Sequence, residues 1–396
     1  MDAGLTLYDS TGPGRPALET TSAGSAEGPA TWFSGRMPAR IASIGTATPA
    51  NAASQQQLRD FFASQETADR LSRRYIGAAF DAASIRKRHT VLTGLNGPGD
   101  GVFIDSDGAL LSPTTGVRNA LYRQAAPPLA AEASREALNQ GQFIAEDITH
   151  LISVSCTGFF APGIDYRLIR DLGLRDTVER THLGFMGCAA ALPALRLASQ
   201  ITDSRPDAVV LVVCVELCSL HIRDSRDPEQ IVAASVFADG AGAAVVTADD
   251  AMGAEGGLFL DRFATTLTSE GESDMVWTIG DSGFDMKLSA EVPRIIGREI
   301  RGALSLFLAD RPPPETWAVH PGGRSVLDRV ETGLGLPEAA LTASREVLAD
   351  YGNMSSATIL FILRRLLLDP EVSGSVAALA FGPGLTVESA MLRKTA

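Results

Sequence analysis

Residues 184–214 read Gly-Phe-Met-Gly-Cys-Ala-Ala-Ala-Leu-Pro-Ala-Leu-Arg-Leu-Ala-Ser-Gln-Ile-Thr-Asp-Ser-Arg-Pro-Asp-Ala-Val-Val-Leu-Val-Val-Cys. Two periodicities stand next to each other here. From Ala190 to Ile201, Leu192, Leu195 and Leu197 give the apolar face of a helix. From Val209 to Val215 an unbroken apolar run, mostly valine, has the length of a buried strand. Cys188 sits where an apolar stretch ends and the helix begins.

The same alternation recurs along the chain. Strand-length apolar runs are expected at 41–44, 151–154, 242–246, 317–319 and 377–381. Helical spacing covers 129–139, 326–336 and 356–368. Strands alternating with helices in both halves predict a layered α/β fold. Asn96–Gly101 and Arg311–Pro314 read as loops, and Gly382-Pro383-Gly384 as a tight turn. Gly240 and Gly242 allow another backbone to approach closely. Residues 1–36, rich in Gly, Pro, Ser and Thr, read as a mobile tail without the basic start and apolar core of a signal peptide.

The chain has 396 residues, 45% of them hydrophobic, and a net charge of -13. That charge does not suit nucleic acid or an anionic membrane surface. An anionic substrate would need a local basic mouth instead. No apolar run reaches the length of a membrane span. The four cysteines, Cys156, Cys188, Cys214 and Cys218, form no spaced disulfide framework. A reduced, cytoplasmic setting is expected.

Three residues carry candidate chemistry. Cys188 at a helix start gains from the positive end of the helix dipole, and an imidazolium can pair with its sulfur. His320, one of five histidines, stands at a strand-to-helix turn in Val-His-Pro-Gly-Gly. Asn353, in Tyr-Gly-Asn-Met-Ser-Ser, offers an amide donor to a developing oxyanion. Together they suit acyl transfer through a thioester. Taken singly, each has a plainer reading: a buried small hydrophobe, a turn histidine and a helix cap. Cys214, Cys218 and His221 resemble metal ligands superficially, but they lie on one strand run and lack a fourth ligand.

Gly-Cys-Ala-Ala-Ala, Val-His-Pro-Gly-Gly-Arg, Asp-Tyr-Gly-Asn-Met-Ser-Ser-Ala and Phe-Gly-Pro-Gly-Leu-Thr-Val-Glu occur in this order. So do Ser155-Cys-Thr-Gly158, Pro162-Gly163 and Phe237-Ala-Asp-Gly240. From about residue 39 onward the set resembles the type III polyketide synthases, the chalcone synthase superfamily. The resemblance implies a thiolase fold, an αβαβα sandwich of two similar halves at 37–250 and 251–396, and a homodimer. It implies Cys188 as acyl acceptor, with His320 and Asn353 as activating and stabilising groups. Acyl-CoA and malonyl-CoA are the implied substrates, with no metal or organic cofactor.

The resemblance also assigns a cavity. Phe237 stands at a gatekeeper position, and Met286 replaces a second phenylalanine. Cys156, Cys218 and His221 replace threonines that line plant cavities, and Trp277 replaces a glycine. Ser355, Gly382, Pro383 and Gly384 complete the implied lining. Basic residues that bind coenzyme A in plant members are not matched near Ala78 and Ala82. Arg73, Arg74, Arg86 and Lys87, with Arg88 beside them, are local substitutes. The segments around Cys156 and Cys218 look like bacterial members, which points to a fatty acyl starter and an alkylpyrone or alkylresorcinol product. A ketoacyl-ACP synthase shares the fold and the three residues, and a papain-like hydrolase shares Cys, His and Asn.

Overall fold

The computed structural model describes residues 38–395, except 96, 250, 251, 254, 255 and 310. The tail expected over 1–36 lies outside the described residues. Among the described residues there are thirteen strands: β1 Arg40–Ala47, β2 Ala52–Ser54, β3 Lys87–His89, β4 His150–Ser155, β5 Glu179–Gly184, β6 Val209–Leu217, β7 Asp239–Thr247, β8 Leu258–Leu267, β9 Met275–Gly280, β10 Gly283–Leu288, β11 Thr316–Val319, β12 Gly374–Gly382 and β13 Thr386–Lys394. Nine of them build one mixed sheet in the order β11-β12-β13-β8-β1-β7-β6-β4-β5.

That order contains a repeat that no sequence similarity announces. In the first half β1 pairs antiparallel with β7, β7 antiparallel with β6, and β6 parallel with β4. In the second half β8 pairs antiparallel with β13, β13 antiparallel with β12, and β12 parallel with β11. The two halves join where β1 meets β8, through Arg40 opposite Phe259 and Ile41 opposite Leu258.

Layering follows from the two-residue period of the strands. Val209, Leu211, Val213, Val215 and Leu217 of β6 join the core cluster under helix Thr115–Gly141. Val210, Val212 and Cys214 face the other way. There they meet Ala378 and Ala380 of β12, and helices Ala191–Ser204 and Thr358–Leu368 fill the space. Ala377, Leu379 and Phe381 of β12 point outward to helices Val292–Ala303 and Arg324–Leu334. Both faces of each half-sheet are covered, and the two central helices are shared. This is the layered α/β arrangement expected from the strand-helix alternation, in the thiolase-like form that the resemblance implies.

Several elements differ from the sequence reading. The helix expected at 129–139 extends over Thr115–Gly141 and passes through Pro127 and Pro128. These prolines cannot bond the carbonyls of Arg123 and Gln124. Both residues line an open groove, where water can take those carbonyls. Gly382-Pro383-Gly384 does not end the sheet. Gly384 turns with φ 68°, and β13 follows as the partner of β12. Its polar residues, among them Glu388 and Ser389, hide the strand in the sequence, although both are buried.

The close approach expected at Gly240 and Gly242 is present. A Cβ on Gly242 would stand 2.9 Å from Leu360 Cβ in the central helix. Gly242→Ala is therefore expected to destabilise the fold by about 1–3 kcal/mol, the usual cost of overpacking. Denaturant unfolding of the variant measures this, and an unchanged midpoint would mean that the central helix yields freely.

Candidate functional site

Cys188 and Asn353 stand at equivalent places in the two halves. Cys188 lies in the turn Gly187–Ala189, just before the central helix Ala191–Ser204. Asn353 lies just before the turn Ser355–Ala357 and the central helix Thr358–Leu368. No side chain caps either helix start among the described residues. The turns that lead into these helices pack against each other, so both helix dipoles end near one site. Gly187 permits the cysteine turn, with φ 63° and the Pro383 ring packed where a Cβ would project. His320 follows β11 directly, its N–H donating to the Leu379 carbonyl of β12 at 2.8 Å.

The Asn353 amide is held from both ends. Its Oδ1 accepts the Ser355 N–H at 2.9 Å, and its Nδ2 donates to the Gly322 carbonyl at 3.3 Å. The plain reading as a helix cap is thus part of the truth. The Cys188 thiol lies 3.9 Å from the same Oδ1. One Nδ2 hydrogen remains for a substrate oxygen.

His320 is only 1% exposed, and neither ring nitrogen has a hydrogen-bond partner among the described residues. Burial draws its pKa down to about 3, so it is a neutral imidazole at pH 7. Burial also pushes the Cys188 thiol up to about 11; hydrogen bonding to Ser355 and Asn353 opposes this, and the charge of Glu216 adds to it. Burial therefore works against the thiolate–imidazolium pair expected from sequence, disfavouring the charged form of each partner. A neutral thiol and a neutral base line one space instead.

That space is a cavity of about 510 Å³, lined by Cys188, His320, Asn353, Phe237 and Met286 among others. A second chamber, of about 30 Å³, opens on the other side of Cys188. Cys156, Cys218, Trp277, Ser355 and Pro383 wall it. Cys188, Phe237, Met275 and Met286 border both spaces. Phe237 and Met286 thus stand where a gate would stand. The β9–β10 hairpin supplies this wall. Met286 pairs with Trp277 and Leu288 with Met275, so all four side chains share one face. Trp277 Nε1 donates to the Cys156 carbonyl at 2.8 Å and fixes the indole at the chamber wall.

Other expected residues take different places. His221 borders neither space. Its Nε2 bonds the Thr157 carbonyl at 2.8 Å, its Nδ1 accepts the Phe284 N–H at 3.0 Å, and its ring stacks on Phe284. Both nitrogens are occupied, and burial lowers its pKa to about 3, so it ties the hairpin down as a neutral strut. Among the described residues, it does not converge with Cys214 and Cys218 on a metal-binding group. Gly382 packs beneath the cysteine turn, and Gly384 shapes the turn after it. Arg73, Arg74, Arg86 and Lys87 do not line the large cavity. Arg73 bonds the Ala63 carbonyl and Arg86 pairs with Asp350. Arg88 is buried and holds the carbonyls of Ala234 and Phe237 at 2.7 Å, which fixes the turn carrying Phe237. Ala79 and Ala82 form the adjoining wall.

Sequence reasoning missed Glu216. Fully buried at the end of β6, it accepts from Cys156 N–H at 2.9 Å, Thr157 Oγ1 at 2.9 Å and Ser356 Oγ at 2.6 Å. It thereby clamps the segments before and after the chamber. Burial raises its pKa to about 6, against the pull of these hydrogen bonds. The available signal was a lone carboxylate in an otherwise apolar strand.

Residues 29–250 match the family described as chalcone and stilbene synthases, N-terminal domain, and residues 260–396 match its C-terminal domain. The chain belongs to this family of type III polyketide synthases, acyltransferases that catalyse decarboxylative condensation. It is 33% identical over 377 residues to bisdemethoxycurcumin synthase of Oryza sativa subsp. japonica, covering 90% of this chain and 92% of the relative. It is 30% identical to probable polyketide synthase 1 of Dictyostelium discoideum over 89% of this chain but only 11% of that much longer protein. The crystal structure of PKS-I from the brown alga Ectocarpus siliculosus superposes with a TM-score of 0.83 at 29% identity, over 91% of this chain and all of that one (100%). The C-terminal type III polyketide synthase domain of Steely1, a type I/III hybrid from Dictyostelium, gives 0.81 at 28% identity over the same 91% and 100%. Family membership decides among the three readings that a Cys, His and Asn set allowed.

His320 is the one imidazole among the described residues that line the large cavity. At pH 7, His320→Gln is expected to slow alkylation of Cys188 by iodoacetamide by on the order of 10²–10⁴. A thiol with a raised pKa stays protonated below that value and ionises above it. The deficit should therefore shrink as pH rises towards about 11. Equal rates at pH 7 would remove His320 from proton transfer.

Proposed function

We propose that this chain loads an acyl group from coenzyme A onto Cys188 and extends it with malonyl-CoA. The observation that carries this reading is Cys188 at the junction of two spaces, with His320 and Asn353 lining the outer one. His320 takes the thiol proton, the sulfur attacks the starter thioester, and coenzyme A leaves with that proton. Malonyl-CoA then enters the emptied outer space. Its carbon–carbon bond breaks, carbon dioxide leaves, and the electron pair moves onto the thioester oxygen as an enolate. His320 and the free Nδ2 hydrogen of Asn353 stabilise that oxygen. The enolate carbon attacks the acyl group and expels the Cys188 thiolate. These steps call for no metal or organic cofactor, because the thioesters carry the activation.

For the starter, the reading is a fatty acyl group and an alkylpyrone or alkylresorcinol product. The chamber of about 30 Å³ does not hold such a chain as it stands. Met275 and Met286 border it and are unbranched, so they can swing aside for an alkyl tail. The small volume favours a second reading, a short starter closing to a small lactone. Incubation of purified protein with malonyl-CoA and acyl-CoAs of increasing length, followed by product masses, separates the two.

Two copies are proposed to pair. Edge strand β5 is largely exposed, and Phe159, Phe185 and Met186 nearby present apolar surface. A cytoplasmic setting is part of the same reading. Among the described residues no helix is long and apolar enough to cross a membrane.

Cys188→Ala is expected to lose the covalent acyl adduct seen in wild type by intact mass after acyl-CoA addition; an adduct on the mutant would sink the assignment. Trp277→Gly is expected to enlarge the chamber and admit longer starters or further malonyl units. The indole is only partly buried, so the stability loss should fall below the roughly 3–5 kcal/mol of a fully buried large-to-small change. An unchanged product profile in a folded, active mutant would mean that Trp277 does not limit the product.

A further inference from the structure

The large cavity has unlike walls. One is built from Ala79, Ala82 and Ala83, at the end of helix Arg70–Ala82, and bears no charge. The opposite wall is the start of two packed helices, Val292–Ala303 and Arg324–Leu334. Helix Arg324–Leu334 starts without a side-chain cap among the described residues, which leaves N–H groups of its first turn for a ligand. In the other helix the Val292 N–H already bonds the Ser289 carbonyl and Pro293 has no N–H. Three arginines, Arg294, Arg324 and Arg329, line the cavity there, against one carboxylate, Asp328. In a chain of net charge -13 this is a local reversal of sign.

The existing partners leave these arginines available. Arg294 bonds Glu291 at 2.7 Å, but both side chains are more than half exposed, at 65% and 51%. Arg324 meets Asp328 at 3.4 Å, while Asp328 holds Arg345 more closely, at 2.8 Å. Such exposed pairs are weak and exchange readily for a better anion. The stem of Arg329 lies over Gly297 of the neighbouring helix, with Cδ 3.2 Å from the Cβ position, so this arginine bridges the two helices. The same cavity is lined by His320, fully buried with both ring nitrogens unpartnered among the described residues. A ligand spanning the cavity would set a reactive group at His320 and Cys188 and an anionic group at the arginines.

We infer that Arg294, Arg324 and Arg329, together with the start of helix Arg324–Leu334, hold the phosphates of the coenzyme A thioester. The inference rests on the thioester reading given above. It moves the phosphate grip from Arg73, Arg74, Arg86 and Lys87 to the opposite wall. Guanidinium groups suit phosphate because they bind it in a bidentate, charge-assisted way.

The test uses the full chain carrying Arg324→Glu and Arg329→Glu. Binding of free coenzyme A is measured by calorimetry at two salt concentrations. Steady-state kinetics are measured with malonyl-CoA and with the malonyl thioester of N-acetylcysteamine, which has no phosphate. The expected result is binding weakened by at least about tenfold, with a shallower salt dependence. The KM for malonyl-CoA should rise in step while kcat falls little, and kcat/KM for the cysteamine thioester should stay within about twofold, since uniform binding is what is lost. Arg324→Lys with Arg329→Lys should retain most of the coenzyme A affinity. Should the glutamate pair unfold by circular dichroism, the glutamine pair is measured instead. Coenzyme A affinity within about twofold of wild type in a folded variant overturns the inference. So does an equal loss in Arg73→Glu with Arg74→Glu. If wild type turns over neither thioester, the functional reading fails, and the calorimetry with coenzyme A alone still decides this one.

Discussion

The short antiparallel contact between β1 and β8 is the constraint on which the site depends. Two residue pairs join the half-sheets there. Because each half repeats the same strand pairings, joining them this way relates one half to the other. The helix before β6 and the helix before β12 then share the middle layer. Their N-termini converge, and each carries one candidate site residue just ahead of it. A thiol and a carboxamide 165 residues apart come within 3.9 Å as a result.

Burial is the second term. The middle layer is apolar on all sides, so groups at its edge lose most of their hydration. This raises the Cys188 thiol and lowers the His320 imidazole, each away from its charged form. Glu216 below the chamber adds negative charge but is satisfied by its own donors. The resting site is therefore neutral and poised, not pre-ionised. In the proposed reaction the acyl thioester would bring the electrophile, and the unpartnered imidazole would accept the proton. Leaving a buried imidazole without a partner costs stability that a structural histidine, such as His221, avoids by bonding through both nitrogens.

Much of the fold was legible in the chain. Val209–Leu217, buried on both faces, reads as a strand because it is apolar throughout. Ala191–Ser204 reads as a helix from its leucines, although it is buried. Thr115–Gly141 was legible only in part, because Pro127 and Pro128 look like a stop unless the freed carbonyls can reach water. β13 was invisible because its polar residues find buried partners: Glu388 is held by Arg196 and Thr265. The β9–β10 hairpin escaped because its turn and exposed face are polar, and its apolar face meets a cavity instead of the core.

The sequence by itself determined the chemistry: one cysteine at a helix start, one histidine at a strand end, one asparagine at a second helix start. These are local facts, set by side-chain type and by the backbone turn each segment prefers. The tertiary structure decided everything that depends on distance across the fold. It set burial against the expected ion pair, because removal from water disfavours the charged form of both Cys188 and His320. It made His221 a strut, because the hairpin and the Thr157 segment claim both ring nitrogens. It lined the cavity with Arg294, Arg324 and Arg329 and left out Arg73, Arg74, Arg86 and Lys87, because which basic residue meets a cavity depends on the packing of elements far apart in the chain. Local sequence carries no record of that packing.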